Sequence, residues 1–373
     1  MSTRFPPPLR PSTAPPPPAV TRALHAINTC TSAAALASLR DGIFRDPALL
    51  RNTAVVSAFF LACGRLRHHG PALALFASIP RPHVFVFNSL LRSLTAPPCS
   101  PLPLFRHFLR IGVRPNRYTF PFMLAHLSSL RDLGVVHSQV IRSGFGRDLH
   151  VRNALLARYA ACELDLSSAE QLFDEMPRPD VVAWTTMITS YRNRGHSFQA
   201  LATLRRMLAS SVSPNRVTMV SALGACAAHG AVDTGIWIHE YVKKHGWELD
   251  VVLGTVLVDM YGKCGRVMEA EGVFSKMVER NVYTWNAIIG ALALAEDGKT
   301  ALQWFFRMNA DGVQPDEVTL VCVLCAWRWL EAEEVLKWVK SKGLMKDAGW
   351  SLKMLEDSSE EYMSDGDLME CAL

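Results

Sequence analysis

The feature that most constrains this chain is a set of residues that returns about every 101 positions. Trp184 recurs as Trp285, Ala200-Leu201 as Ala301-Leu302, and Met207 as Met308, each 101 residues on. Phe173-Asp-Glu-Met176 returns as Phe274-Ser-Lys-Met277 at the same offset. Pro115-Asn116-Arg117 becomes Pro214-Asn215-Arg216 and then Pro315-Asp316-Glu317, at offsets of 99 and 101. A fixed period of this kind marks stacked units, each too small to bury its own apolar face. The stretch Val181 to Asn215 shows what the unit is. Trp184, Met187, Ile188 and Tyr191 fall on one helical face, Gly195 stops that helix, and Ala200, Leu201, Leu204 and Leu208 repeat the pattern before Pro214. The unit is therefore a helical hairpin, about 101 residues make a triplet of them, and the expected fold is an all-α solenoid of helix-turn-helix repeats.

Composition agrees with that expectation. The 373 residues exceed what one hydrophobic core usually accommodates, and 49% of them are apolar, which suits stacked helices. The longest apolar runs, such as Ala287 to Ala295, fall short of the about 18 residues that a membrane span needs, so no membrane association is expected. Nine cysteines stand singly, with no paired framework, and read as buried thiols in a reducing compartment.

The ends differ from the body. Eight of the first twenty residues are proline, and no acidic residue precedes Asp41, while Arg4, Arg10, Arg22 and Arg40 are basic. Residues 1–40 read as an organellar transit peptide, or otherwise as a disordered proline-rich tail. From Glu356 onward there are seven acidic residues and no Lys or Arg. That leaves 27 acidic residues against all 39 basic ones in the body, a balance that favours a polyanionic partner.

The units 84–116, 117–148, 149–180, 181–215, 216–250, 251–281 and 282–316 resemble pentatricopeptide repeats, in the alternating long, normal and short order of the plant PLS subfamily. The strings that carry the resemblance are FVFNSLL, YTFPFMLAHL, RNALLARYAAC, DVVAWTTMITSY, LVDMYGKCG and NVYTWNAIIGAL. An imperfect unit at 47–83 precedes them, and residues 317–328 resemble the start of one more. Residues 329–355 resemble part of the E extension of plant RNA-editing factors, with Ala348 where proline is usual, and the acidic tail 356–373 stands where some relatives carry a cytidine deaminase domain.

The resemblance implies a sequence-specific binder of single-stranded organellar RNA, each unit reading one base with its fifth and last residues. Here those pairs are Asn88 with Asn116, Asn153 with Asp180, Thr185 with Asn215, Thr255 with Asn281, and Asn286 with Asp316. By the family's code, Thr with Asn reads adenine, Asn with Asp uracil, and Asn with Asn a pyrimidine, giving 5′-Y-n-U-A-n-A-U-3′. The two n positions face units carrying Pro121 with Asp148 and Val220 with Asp250, whose fifth side chains form no hydrogen bond. Singly, all ten residues would pass for helix caps.

The resemblance further implies C-to-U editing-site selection in a mitochondrion or chloroplast, with a trans-acting cytidine deaminase and accessory editing proteins as partners. A factor for RNA stability, processing or translation, and a protein-binding helical scaffold, are the alternatives. No enzyme activity and no cofactor is expected. Cys322-Val-Leu-Cys325 lacks a second ligand pair, His239 and His245 have the wrong spacing for a zinc helix, and Gly144-Phe-Gly146 lacks the rest of a dinucleotide turn.

Overall fold

The computed structural model describes residues 17–94, 101–162 and 166–327. The segment 329–355, the acidic tail and the first sixteen residues, to which the sequence assigned roles, lie outside those described. The chain divides into two compact units, Met1–Thr186 and Met187–Leu373. Every regular element among the described residues is a helix, and none is long and apolar enough to cross a membrane.

The first unit contains α1 (Pro18–Asn28), α2 (Ala33–Arg45), α3 (Pro47–Arg51), α4 (Thr53–Arg65), α5 (His69–Ala77), α6 (Val84–Ser93), α7 (Leu102–Arg110), α8 (Thr119–Ala125), α9 (Leu130–Arg142), α10 (Leu149–Cys162) and α11 (Ser167–Asp174). Helix α12 (Val181–Asn193) starts in the first unit and ends in the second. The second unit continues with α13 (Ser197–Ala209), α14 (Arg216–His229), α15 (Val232–Lys244), α16 (Val251–Lys263), α17 (Val267–Lys276), α18 (Val282–Leu294), α19 (Gly298–Ala310) and α20 (Glu317–Trp327).

Each unit is built by the same packing rule. In the first, α4 packs on α6, α6 on α8 and α8 on α10; in the second, α14 packs on α16, α16 on α18 and α18 on α20. The second helix of a hairpin wedges between two first helices, as α15 does between α14 and α16 and α17 between α16 and α18. The apolar faces meet where the periodicity put them: Trp184, Met187, Ile188, Ala200, Leu201 and Leu204 are buried, with Met207 rather than Leu208 completing the face. Phe173 meets Trp184 edge-on at 4.7 Å between centroids, and 101 residues later Phe274 meets Trp285 at 4.8 Å. The two tryptophans are thus core residues, each worth roughly 1.5–3 kcal/mol of buried apolar surface.

The chain is helical from Pro18 onward. Residues 18–45 form α1 and α2, which bury Val20, Ile27, Leu36 and Ile43. Helix α1 packs on α4. The proline run hid this, yet Pro17 and Pro18 open the helix, where the missing N–H costs no hydrogen bond. The cysteines also divide: Cys30, Cys63 and Cys226 are buried, with burial pushing Cys63 and Cys226 up to about 12, but Cys325 is exposed. Among the described residues no group of His, Cys, Asp and Glu could hold a metal ion.

Two further features arise from the stacking. Gly195 takes φ +76° after α12, and Gly312 takes φ +77° after α19, but Ser211 holds the corresponding left-handed position after α13 at φ +60°. A side chain there is strained by roughly 1–2 kcal/mol. Ser211→Gly is therefore expected to stabilise the second unit by about 0.5–1 kcal/mol, after allowing for glycine's larger unfolded-state entropy, read as a higher urea midpoint at unchanged slope.

The other feature is a histidine–tyrosine hydrogen bond that repeats 102 residues apart. His137 Nδ1 lies 3.0 Å from the Tyr159 hydroxyl, and His239 Nδ1 lies 2.8 Å from that of Tyr261. Burial, reinforced by Lys243, pushes His239 down to about 4. A histidine kept neutral in the folded state but free to protonate near 6.5 when unfolded makes stability fall as pH drops from about 6.5 to 4. The expected loss is up to about 3 kcal/mol at roughly 1.4 kcal/mol per pH unit. His239→Gln should flatten that slope in denaturation curves at pH 7 and pH 5, leaving the contributions of His137 and His126, which burial shifts the same way.

Candidate nucleic-acid interface

The residues singled out at unit ends all sit at the starts of first helices, where four backbone N–H groups lack helical partners. Asn116 Oδ1 accepts from the backbone N–H groups of Tyr118 and Thr119, Asp180 Oδ1 from Ala183, Asn215 Oδ1 from Thr218, Asn281 Oδ1 from Thr284 and Asp316 Oδ1 from Thr319, all at 2.8–3.1 Å. They are caps, each contributing about 1 kcal/mol to its helix. Asn116, Asp180 and Asp316 are also more than caps, because the fifth residue of the preceding hairpin reaches the same atoms.

Asn88 Nδ2 donates to Asn116 Oδ1 at 3.1 Å, Asn153 Nδ2 to both carboxylate oxygens of Asp180 at 3.0 Å, and Asn286 Nδ2 to Asp316 Oδ1 at 2.8 Å. These bonds fix the amide orientations, since a capping oxygen or a carboxylate can only accept. The price is burial: Asn88 and Asn286 are only 7% and 6% exposed, and the Oδ1 atoms of Asn88 and Asn153 are buried without a partner. Thr255 reaches Asn281 through one intermediate, its hydroxyl lying 2.6 Å from that of Thr284, which donates to Asn281 Oδ1 at 3.1 Å. Thr185, in the first unit, donates its hydroxyl to Val181 O at 2.6 Å. Asn215, in the second, completes a capping box with Thr218.

With one oxygen committed to the cap, the last residue has one polar atom left, and its identity depends on the residue type. Nδ2 of Asn116 and of Asn281 has no hydrogen bond among the described residues, nor does Oδ2 of Asp316. An Asn thus offers a donor and an Asp an acceptor at the same place. Burial alone would raise the Asp316 carboxyl, but hydrogen bonds from Thr319 and Asn286 outweigh it and hold the group below the ordinary carboxylate range. Asp148 and Asp250 differ: their Oδ2 atoms pair with Arg117 at 3.5 Å and with Arg216 at 3.2 Å. The two units with Pro121 and Val220 at the fifth position therefore also have a neutralised carboxylate at the last.

Sequence reasoning missed two sets of residues at this site. In six first helices the second residue is apolar yet at least half exposed, Phe85 and Val182 in the first unit and Val217, Val252, Tyr283 and Val318 in the second; Tyr118 stands just before α8, and α10 has His150 at this place. Their signal was an apolar residue off the buried face, recurring in most hairpins. The second set is the threonine three residues after the cap, in Asn116-Arg-Tyr-Thr119, Asn215-Arg-Val-Thr218, Asn281-Val-Tyr-Thr284 and Asp316-Glu-Val-Thr319. Each threonine returns a hydrogen bond to the cap residue, a capping box with Thr in place of Glu.

Between the ends of α7 and α9, in the first unit, lies an opening of about 570 Å³ lined by Leu109, Arg114, Gln139, Arg142 and Phe145. Arg114 and Arg142 are exposed and form no hydrogen bond or ion pair among the described residues. Residues 101–148 hold seven arginines and two aspartates, a local excess equal to the +5 of the whole chain.

Stacked helical hairpins with polar capping residues at the starts of their first helices define a helical-repeat protein. Family models for the PPR repeat and the pentatricopeptide repeat domain match residues 255–282, and 171–229 and 275–326, respectively. The chain belongs to the pentatricopeptide repeat family. A pentatricopeptide repeat-containing protein of Arabidopsis thaliana is 37% identical over 260 residues, covering 68% of this chain and 44% of the relative. A second, putative, protein of that family from the same plant is 36% identical over 294 residues, covering 74% and 58%. The chain thus spans about half the length of these relatives. The crystal structure of pentatricopeptide repeat protein PPR10 from maize aligns at 20% identity with a TM-score of 0.45, covering 87% of this chain and 59% of that one.

Proposed function

We propose that this chain binds single-stranded RNA in a plant organelle and reads its bases one per hairpin. The observation that carries the reading is the last-residue switch: the capping residue leaves an unbonded donor at Asn116 and Asn281 and an unbonded acceptor at Asp316. Adenine and cytosine present an acceptor ring nitrogen beside an amino group, whereas uracil and guanine present a ring N–H beside a carbonyl. Asn116 and Asn281 suit the first pair and Asp316 the second. The exposed apolar residue beside each of these supplies a surface for the base face. Asp148 and Asp250, tied to arginines, leave the n positions unread.

In this reading the fifth residue acts largely by orienting the last one. The chain selects a site for C-to-U editing, the use implied by the PLS and E-like segments, and a separate deaminase carries out the reaction. Relatives named mitochondrial and chloroplastic support an organelle, as does the acid-free leader, and we place the chain in the mitochondrion first. Competition binding tests the core of the proposal: wild type should rank RNAs matching 5′-Y-n-U-A-n-A-U-3′ above those changed at a read position, and should ignore changes at n. Equal ranking would sink it. Arg114→Gln with Arg142→Gln should weaken all these RNAs alike and reduce the salt slope by roughly 0.7 per lost phosphate contact, which a titration from low to high salt would read.

A further inference from the structure

We infer that Thr284 is a specificity-positioning residue: it fixes the direction of the Thr255 hydroxyl so that the pair formed by Thr255 and Asn281 accepts an amino-bearing base and rejects a keto base. The inference rests on the base-reading proposal above and adds to it a residue from the neighbouring hairpin. The argument is a count of hydrogens. Asn281 Oδ1 accepts the Thr284 backbone N–H at 3.1 Å, so that atom is the amide oxygen and cannot donate. Thr284 Oγ1, 3.1 Å away, donates its one hydrogen to that same oxygen. It also accepts the Asn281 backbone N–H at 3.4 Å. The Thr255 hydroxyl, 2.6 Å away, then has one way to bond, as the donor.

Thr284 is fully buried and held on both sides, so this direction is set before any ligand arrives. What Thr255 has left is lone pairs. Together with the unbonded Nδ2 of Asn281, the site offers one acceptor and one donor. Adenine matches both, through its N6 amino group and N1. Guanine reverses both. Helix α20 supplies Thr319 in the same role one hairpin on, where its hydroxyl lies 2.5 Å from Asn286 Oδ1 and 2.9 Å from Asp316 Oδ1. The unit ending at Asp180 has Ala183 at the corresponding place.

Thr284→Val keeps the shape and removes the hydroxyl, which frees Thr255 to rotate and donate to a carbonyl. The test uses the full chain and four RNAs of the form 5′-Y-n-U-A-n-X-U-3′, with X each base in turn. Wild type is expected to favour adenine over guanine at X by roughly five- to a hundredfold. Thr284→Val should reduce that ratio about five- to tenfold, Thr284→Ser should restore it, and the uracil preference at the seventh base should not move. Loss of affinity without a change in the adenine-to-guanine ratio would mean that Thr284 only caps α18, and would overturn the inference. Failure of Ser to restore the ratio would do the same. Absence of any base preference in wild type would instead overturn the base-reading proposal itself.

Discussion

Asn286→Thr combined with Asp316→Asn is expected to change the preferred seventh base from uracil to adenine, with the other six positions unaffected. The double variant recreates the pair that Thr255 and Asn281 form one hairpin earlier, and the supporting threonine is already in place as Thr319. The physical change is local. Asp316 offers an acceptor, and its carboxyl is held ionised below the ordinary range, so it can take the ring N–H of uracil throughout the neutral range. Asn at the same cap keeps the oxygen on the Thr319 N–H and turns a donor outward, which suits N1 of adenine. Each base contact discriminates by about 1–3 kcal/mol, so the ranking of RNAs ending in U and in A should invert with ratios of roughly five to a hundred on each side. Competition binding with the four possible seventh bases reads this directly. A variant that loses stability but ranks the four as wild type does would reduce these two residues to helix capping.

The second large effect is on stability, and its sign differs between two glycines of one hairpin. Gly262, in α16, lies where a β-carbon would sit 2.4 Å from Cβ of Ala291 and 3.2 Å from its Cα. Carbon atoms pack at about 3.5–4.0 Å, and the obstacle is the backbone and first carbon of α18, which cannot swing aside. Gly262→Ala must push α16 and α18 apart, at a cost of about 1–3 kcal/mol, more than the roughly 1 kcal/mol that alanine gains as a helix former. Gly262→Val should cost considerably more. Gly272, in α17, has no atom within 4 Å of its virtual β-carbon. There the helix-propensity gain stands alone, and Gly272→Ala should stabilise by about 0.5–1 kcal/mol. Urea denaturation of the two alanine variants should move the midpoint in opposite directions. A Gly262→Ala protein as stable as wild type would mean that the two helices tolerate separation at that point.

These two cases divide what could be read from the chain. The period near 101, with Trp184 returning as Trp285 and Phe173 as Phe274, was enough to give stacked helices and the apolar face of those around Trp184, because helical periodicity is a local property of sequence. Proline at the start of α1 is ambiguous to the same reasoning, since a local breaker and a local helix opener are the same residue type and only the packing of Val20 and Ile27 tells them apart. Asn and Asp at unit ends were legible as caps, but a sequence does not say which of their atoms the fold consumes. That was decided by the tertiary structure, which brings Asn286 of one hairpin against Asp316 and Thr319 at the start of the next and so leaves a single oxygen uncommitted. The same holds for Gly262 and Gly272: the chain fixes that both lie in helices, and only the approach of α18 to α16 makes one of them indispensable, because contact across helices depends on atoms that are distant in sequence.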